Sequence, residues 1–148
     1  MKRQTLVRAY SIRHAHGDGE DDDGIDGIDC PRCGCPRLLL ERATSFLDRL
    51  RGLIGRPPPA PGTGLWIEPC SAVHSFGMRY PIDLAFVDRD GRVVAVRPRL
   101  VPSRIATCAG AVATIEIAAG DLARLGIAPG SRLVPISVRS AMTTDQED

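Results

Sequence analysis

The chain has 148 residues, 43% of them hydrophobic and 25% charged, with 19 basic and 18 acidic side chains and a formal net charge of +1. This length predicts one domain that can bury a core without disulfides, and the composition is typical of a soluble globular protein. No apolar run approaches the roughly 18 residues that a membrane-spanning helix requires. The residues after Met1-Lys2-Arg3 lack the apolar stretch of a signal peptide, so the sequence predicts a cytoplasmic protein.

The charges are distributed unevenly along the chain. Residues 1–35 carry five basic and seven acidic side chains, residues 36–140 carry fourteen basic and eight acidic, and residues 141–148 carry three acidic and none basic. A body with a net charge of +6 therefore lies between two acidic ends. The scattered arginines and the aromatic content of 4% argue against nucleic-acid binding, which combines a basic groove with aromatic stacking platforms.

The N-terminal segment has the composition of a disordered tail. Residues 17–29 contain seven acidic residues and four glycines, and such a segment cannot bury enough apolar surface to offset the entropy of ordering it. A calcium loop starting at Asp18 is excluded because its sixth position, which requires glycine, is Asp23. We predict that residues 1–36 form a disordered acidic tail and that residues 141–148 fray.

A cluster of cysteines ends this tail, in the sequence Cys30-Pro-Arg-Cys33-Gly-Cys35. A Cys-x-x-Cys turn presents two thiolates to one ion, as zinc ribbons do, but a structural zinc site needs four ligands and the chain has no second turn of this kind. Cys35 is a candidate third ligand, and the fourth would come from Cys70, Cys108 or a partner chain. Zinc is the one cofactor that the sequence suggests, and an unliganded turn is the alternative. Five cysteines, an odd number, in a reducing compartment argue against a disulfide framework.

From residue 37 onward the pattern predicts alternating strands and short helices. The strands are predicted at residues 37–43, 65–68, 82–87, 92–96, 112–117 and 132–138. Residues 45–54 are predicted to form a helix that packs on the sheet through an apolar stripe made of Phe46, Leu47, Leu50, Leu53 and Ile54. A second helix is predicted at 119–125, and Pro57–Gly64 is read as a stiff connector, with a polyproline ligand as the alternative. This order predicts a β-rich α+β domain with a curved or barrel-like, mostly antiparallel sheet and two short helices.

Five segments carry a resemblance to a known family. They are Arg51-Gly-Leu-Ile-Gly-Arg56, His74-Ser-Phe-Gly-Met-Arg-Tyr-Pro-Ile-Asp83, Phe86-Val-Asp-Arg-Asp-Gly-Arg-Val93, Ile115-Glu-Ile-Ala-Ala-Gly120 and Leu125-Gly-Ile-Ala-Pro-Gly130. In this order the chain resembles the DUF192 family, also called UPF0127, over about residues 37–138. The resemblance implies the same β-rich fold and a domain covering residues 37–140. It implies no established reaction.

His74 and Asp83 are the leading candidates for a functional site. His74 is the one histidine of the predicted folded part, and Asp83 stands between apolar Ile82 and Leu84 at the start of a strand, where a carboxylate needs a partner. We expect both on one rim of the domain. The acid–base candidates are His74, Asp83 and Glu116, and the ligand-binding candidates are Arg51, His74, Met78, Arg79 and Asp83. The structural alternative is that His74 and Asp83 satisfy each other or the backbone.

Other sites find less support. Cys70, His74 and Met78 have the chemistry of copper ligands but lack the second histidine of a blue-copper site. A Cys70–His74 nucleophile pair and a Cys70–Cys108 disulfide are weaker hypotheses. We find no nucleophile elbow, phosphate loop or zinc-protease motif.

Two functions remain open. The chain is a small domain with a polar ligand-binding or catalytic pocket around His74 and Asp83, or it is a non-enzymatic interaction or scaffold module with a structural zinc knuckle. Its partner is accordingly a small molecule or a protein. Whether the chain is an enzyme stays open.

Overall fold

The structure is a computed structural model that describes residues 7–13 and 36–136. Within these residues the elements follow one another as β1 Val7–Arg13, β2 Arg37–Ala43, α1 Phe46–Arg51, β3 Thr63–Ile67, β4 Ala72–His74, β5 Ile82–Val87, β6 Val93–Leu100, β7 Ile105–Thr107, β8 Ala113–Ala118, α2 Asp121–Leu125 and β9 Arg132–Ile136.

Seven strands form one curled sheet in the order β6-β5-β8-β3-β2-β1-β9, and β4 pairs with β7 in a separate ladder. Only β2 and β3 pair in parallel among the described strands. The two edges of the large sheet approach each other at one end, where Arg92 bridges Arg132 and the Leu133 amide donates to the Gly91 carbonyl at 2.9 Å. The predicted β-rich α+β domain with a curved, mostly antiparallel sheet is confirmed.

The concave side of the sheet encloses the first of two cores. Successive side chains of a strand point to opposite faces, so β5 contributes Ala85 and Val87 to this core and β8 contributes Ile115 and Ile117. Tyr10 and Trp66 stack inside it, with their ring centroids 5.2 Å apart. Helix α2 packs on the same core through Leu122 and Leu125. We call this the inner core.

The convex side carries a second core, which we call the outer core. Its sheet residues are the alternate members of the same strands, including Leu65, Ile67, Leu84 and Phe86. Leu100 at the end of β6 also belongs to it, and it is covered by residues from the turn after α1, from the β4–β7 ladder and from the loop that follows β4, namely Leu53, Val73, Ala106 and Met78. A single residue step along β5 or β8 therefore moves a side chain from one core to the other.

The N-terminal segment corrects one prediction. Residues 7–13, predicted as part of a disordered tail over 1–36, form β1, which pairs with both β2 and β9. Ile12 is fully buried, and Tyr10 is buried beside Trp66. The strand is held by β9, more than a hundred residues further along the chain, and local composition carries no sign of that partner. The remainder of the predicted tail and the predicted fraying at 141–148 lie outside the described residues.

Helix α1 corrects a second prediction. Thr44 and Ser45 were the two candidate caps in the sequence, and Ser45 is the cap, accepting a hydrogen bond from the Asp48 amide at 3.0 Å. The helix ends before Gly52, which has φ of +54°. Leu53 is buried, whereas Leu47 is 71% and Leu50 is 59% exposed. The predicted packing of one continuous stripe is wrong, because the early end of the helix places Leu53 on a turn that leaves the helical period.

The other elements lie within a few residues of their predicted positions. Helix α2 ends as predicted, with Gly126 in the left-handed region and the Ile127 amide donating to the Leu122 carbonyl at 2.8 Å. The β4–β7 ladder was not predicted, because its strands have three residues each and no clear alternation of apolar and polar residues.

Candidate functional site

Asp83 faces the inner core and is held by backbone amides. The side chain is 1% exposed and stands opposite Ile117 of β8. Its Oδ1 accepts a hydrogen bond from the Arg99 amide at 2.8 Å, and its Oδ2 accepts from the amides of Gly120 and Leu122, both at 3.0 Å. Both oxygens are thus engaged, and the carboxylate ties the start of α2 and the end of β6 to β5.

His74 lies elsewhere, on the exposed side of the β4–β7 ladder. Its ring contacts that of Phe76, with centroids 5.6 Å apart and planes inclined by 31°, and it is paired in register with Ile105. Within residues 7–13 and 36–136, no hydrogen bond or ion pair joins His74 to Asp83. The structure does not bring the two predicted site residues together, because Asp83 points into the inner core.

Ser75, which the sequence reasoning missed, organises the surface around His74. It is fully buried, and its hydroxyl donates to the Val101 carbonyl at 2.7 Å and accepts from the Arg104 amide at 2.9 Å. Its own amide donates to the Arg104 carbonyl at 2.8 Å, and its carbonyl accepts from the Ser103 amide at 3.1 Å. Residues 74–76 and 101–105 are therefore locked together. No local sequence signal marks a serine in this role.

An exposed apolar surface results from this arrangement. Phe76 is 51%, Val101 is 45% and Ile105 is 64% exposed, and together with His74 they form what we call the His74 face. Ser103, beside Val101, has a φ of +64°, which non-glycine residues rarely adopt. Such backbone conformations persist where the surrounding structure imposes them and are concentrated at functional sites.

Arginines border the His74 face. Arg104 is exposed on the second segment, and Arg79 is exposed three residues after Phe76. Arg51 donates from Nε to the carbonyl of Ile54, and the Ile54 side chain lies 3.4 Å from the position that a Cβ on Gly77 would take. The ion pairs among the described residues join Arg42 to Glu68, Arg56 to Glu41 and Arg124 to Asp121. Arg51, Arg79 and Arg104 therefore have no carboxylate partner there.

Met78, the remaining ligand-binding candidate, is buried in the outer core. Its amide donates to the Ser75 carbonyl at 3.1 Å. It supports the loop that carries Phe76 and Arg79 and offers no thioether at the surface.

Glu116 is the acid–base candidate on the convex side. It is 4% exposed, lies across from Leu65 and Leu84, and accepts a hydrogen bond on Oε2 from the Leu53 amide at 3.0 Å. Burial raises the pKa of Glu116 to about 7, against the opposing effects of the Leu53 hydrogen bond and the positive charge of Arg56. This carboxyl therefore changes its protonation state near neutral pH.

Residues 53–59 follow α1, and the Leu53 amide at their start binds Glu116. This segment also forms one wall of a groove of about 350 Å³. Leu53 and the proline run 57–59 line this wall, the opposite side is Val7, Leu39 and Leu65, and the Arg56–Glu41 ion pair of 2.8 Å lies within the groove. Tyr80 secures the segment by donating its hydroxyl to the Arg56 carbonyl at 2.9 Å, and burial and the neighbouring Glu116 raise the pKa of Tyr80.

The metal candidates are divided between two parts of the chain. Cys30, Cys33 and Cys35 lie outside the described residues, so zinc binding there stays a prediction. Cys70 and Cys108 are free and half-buried. In residues 7–13 and 36–136, no three histidine, cysteine, aspartate or glutamate side chains are grouped closely enough to hold a metal ion. Nor does this part of the chain contain a helix with the length and apolar character to cross a membrane.

Two solved structures share this fold. The crystal structure of a "putative transcription regulator" from Sinorhizobium meliloti 1021 is 22% identical with a TM-score of 0.70, and the match covers 88% of this chain and 95% of that one. A protein of unknown function from Novosphingobium aromaticivorans DSM 12444 is 28% identical with a TM-score of 0.60, over 66% of this chain and 76% of that one.

No match was found among curated proteins. The family model of DUF192, an uncharacterized group, matches residues 33–135, which is more than half of the sequence and includes all five segments on which the resemblance was based. The chain belongs to the DUF192 family.

Proposed function

We propose that the chain is a binding domain whose His74 face holds an anionic ligand that also has an apolar part. The observation that carries the proposal is the exposed apolar surface of Phe76, Val101 and Ile105, locked by Ser75 and bordered by arginines without carboxylate partners among the described residues. Contiguous exposed apolar surface marks binding sites in soluble proteins.

The chemistry of the border favours an anion. Guanidinium groups are weakly hydrated and present paired N–H donors that match a carboxylate or a phosphate. The rings of His74 and Phe76 offer a flat apolar surface beside them. Because backbone hydrogen bonds already hold both segments, little further conformational entropy is lost on binding.

Asp83 supports this site indirectly, through a hydrogen bond to the backbone that leads into it. Its Oδ1 holds the amide of Arg99, which has a φ of +48° and stands two residues before Val101. The carboxylate thus stabilises the irregular end of β6, after which the second segment of the His74 face starts. In this proposal Asp83 has a structural role, and the His74 ring forms part of the surface that contacts the ligand.

Native mass spectrometry of the freshly purified chain is the first test, because it shows any retained ligand together with its mass. We expect the double variant Arg79→Ala/Arg104→Ala and the variant Phe76→Ala to lose the ligand without a change in unfolding temperature. Arg89→Ala, at an exposed position of the β5–β6 turn, is the matched control and should keep it. Retention by the double variant, or equal loss in the control, would contradict the proposal.

A second candidate function rests on Glu116. A buried carboxyl with a pKa of about 7 beside a groove of about 350 Å³ is the kind of group that enzymes use for proton transfer. A ligand of the groove would then bind with an affinity that changes between pH 6 and 8, and Glu116→Gln would remove this pH dependence. A ligand of the His74 face would keep the same affinity in Glu116→Gln, which separates the two candidates.

A further inference from the structure

The His74 face looks outward from the β4–β7 ladder. His74 and Ile105 are paired directly across the ladder, and the Phe76 ring contacts the His74 ring. In both strands the middle residue is buried and its two neighbours are exposed, so one side of the ladder packs on the outer core and the other side meets solvent. Small-molecule sites are concave and enclose most of their ligand. Side chains on the outer side of a two-stranded ladder are better suited to an extended surface.

The segments that carry the face have charge of one sign. Residues 69–82 and 97–113 contain four arginines and no acidic residue. All four are exposed, and none takes part in an ion pair among the described residues: Arg79, Arg97, Arg99 and Arg104. Arg97 is paired with Leu84 of the outer core, so it lies on the side of the sheet that the ladder covers. Exposed apolar side chains bordered by positive charge are typical of proteins that bind anionic membrane surfaces.

We infer that the His74 face is a peripheral membrane-binding surface for bilayers that contain anionic phospholipid. The inference rests on the proposed function and identifies the anionic, partly apolar ligand of this face as phospholipid in a bilayer. Phe76, Val101 and Ile105 enter the boundary between headgroups and acyl chains, and the arginines bind the phosphate groups. Because Ser75 already holds both segments, these side chains are in place before the bilayer is met.

Other anionic partners fit the face less well. A small inorganic anion would bind the arginines and leave Phe76, Val101 and Ile105 in water. Nucleic acid binds through aromatic stacking platforms, and two of these three side chains are aliphatic. A protein partner would have to combine an apolar centre with an acidic rim. A bilayer surface offers both chemistries within the roughly 5–10 Å to which an apolar face is buried in it.

Co-sedimentation of the full chain with vesicles tests the inference. We expect binding to vesicles of equal parts phosphatidylcholine and phosphatidylglycerol and none to vesicles of phosphatidylcholine alone. Raising the salt from about 0.1 M to about 1 M shortens the Debye length from about 10 Å to about 3 Å and should weaken binding. Each arginine near an anionic bilayer contributes a factor of roughly five, so Arg79→Ala/Arg104→Ala should weaken binding by about 25-fold. Phe76→Ala should weaken it by about tenfold.

The matched control is the double variant Arg89→Ala/Arg92→Ala. It removes the same charge from two exposed positions of the β5–β6 turn, at the other end of β6 from the His74 face, and should bind as the wild type does. All the substituted side chains are exposed, so every variant should keep the wild-type unfolding temperature. An equal loss in the control would mean attraction by net charge and would overturn the inference, as would full binding by Phe76→Ala.

Native mass spectrometry distinguishes failure of this inference from failure of the proposed function. If the vesicles are not bound but a ligand other than phospholipid is retained and is lost in Phe76→Ala, the proposed function stands and the bilayer is wrong. Release from vesicles by inorganic phosphate at constant ionic strength would have the same meaning. Binding of polyglutamate or single-stranded DNA in place of vesicles would also overturn the bilayer. Vesicle binding and ligand retention that every variant of the face keeps would overturn both.

Discussion

Asp83 and Glu116 are two acidic side chains buried in one sheet, and they face opposite cores. Asp83 points inward and accepts three hydrogen bonds from backbone amides, whereas Glu116 points outward and accepts one. Burial raises the pKa of Glu116 to about 7, because the single hydrogen bond from the Leu53 amide and the charge of Arg56 offset only part of the desolvation cost. The difference teaches that two carboxyls buried in one sheet can have different roles. Three backbone donors make Asp83 a structural tie between β5, the end of β6 and the start of α2, whereas Glu116 has one donor and a pKa that burial raises.

The largest expected effect follows from removing the anchor. Asp83→Ala leaves the amides of Arg99, Gly120 and Leu122 without an acceptor, and we expect the free energy of unfolding to fall by about 3–5 kcal/mol. Urea unfolding measures the loss. Asp90→Asn, at an exposed position of the β5–β6 turn, should change it by less than about 0.5 kcal/mol. Equal stability of the two variants would mean that the Asp83 hydrogen bonds contribute little.

The second effect is the pH dependence of stability that Glu116 contributes. Because its pKa rises from 4.5 to about 7 on folding, the folded state binds more protons, and this stabilisation is complete below pH 4.5 and is lost as the pH rises through 7. The loss amounts to about 3 kcal/mol, from roughly 2.5 pKa units at 1.36 kcal/mol each.

Glu116→Gln should remove this dependence and keep an acceptor for the Leu53 amide. We expect the variant to be more stable than the wild type at pH 8 and similar to it at pH 5, measured as urea midpoints across that range. Parallel pH profiles for the two proteins would show that Glu116 is already ionised at pH 5 in the folded state.

A third, smaller effect tests how closely the turn at Gly52 packs against the Glu116 carboxylate. A Cβ on Gly52 would stand 2.9 Å from both carboxylate oxygens, at a φ of +54°. Gly110 also has positive φ, of +87°, but nothing lies within 4 Å of its Cβ position. We expect Gly110→Ala to cost about 1 kcal/mol, from backbone strain alone, and Gly52→Ala to cost about 2–3 kcal/mol. Thermal unfolding of both variants compares them, and an equal loss would exclude a contribution from the Glu116 contact.

The smallest expected effect on stability concerns the predicted zinc knuckle, which lies outside the described residues. Cys30→Ser/Cys33→Ser should abolish any bound zinc, because two thiolates of the set are lost, and should leave the unfolding temperature unchanged. Elemental analysis of the purified protein checks the metal, with Arg89→Ala, at an exposed position of the β5–β6 turn, as the control that retains it. Unfolding of the double variant would show that the knuckle is part of the folded domain.

Much of the architecture could be predicted because it depends on local patterns. The apolar run of β5, the turn from Asp88 to Gly91 and the end of α2 at Gly126 are each encoded by residues within a few positions of one another. The candidate site was only partly predictable. The residue types at 51, 74, 79, 83 and 116 indicated chemistry, but their spacing along the chain could not show which of them share a surface.

The sequence by itself determined the β-rich class, most strand positions and the family to which the chain belongs. The tertiary structure decided that residues 7–13 join the sheet and that Leu47 and Leu50 stay exposed. It also decided that Asp83 and His74 lie in separate places, and that Ser75 holds the two segments of the His74 face together. The physical reason is that alternation and turn propensities are properties of neighbours in the chain. The face that a side chain occupies, and the partner it meets there, depend on contacts between residues far apart in sequence.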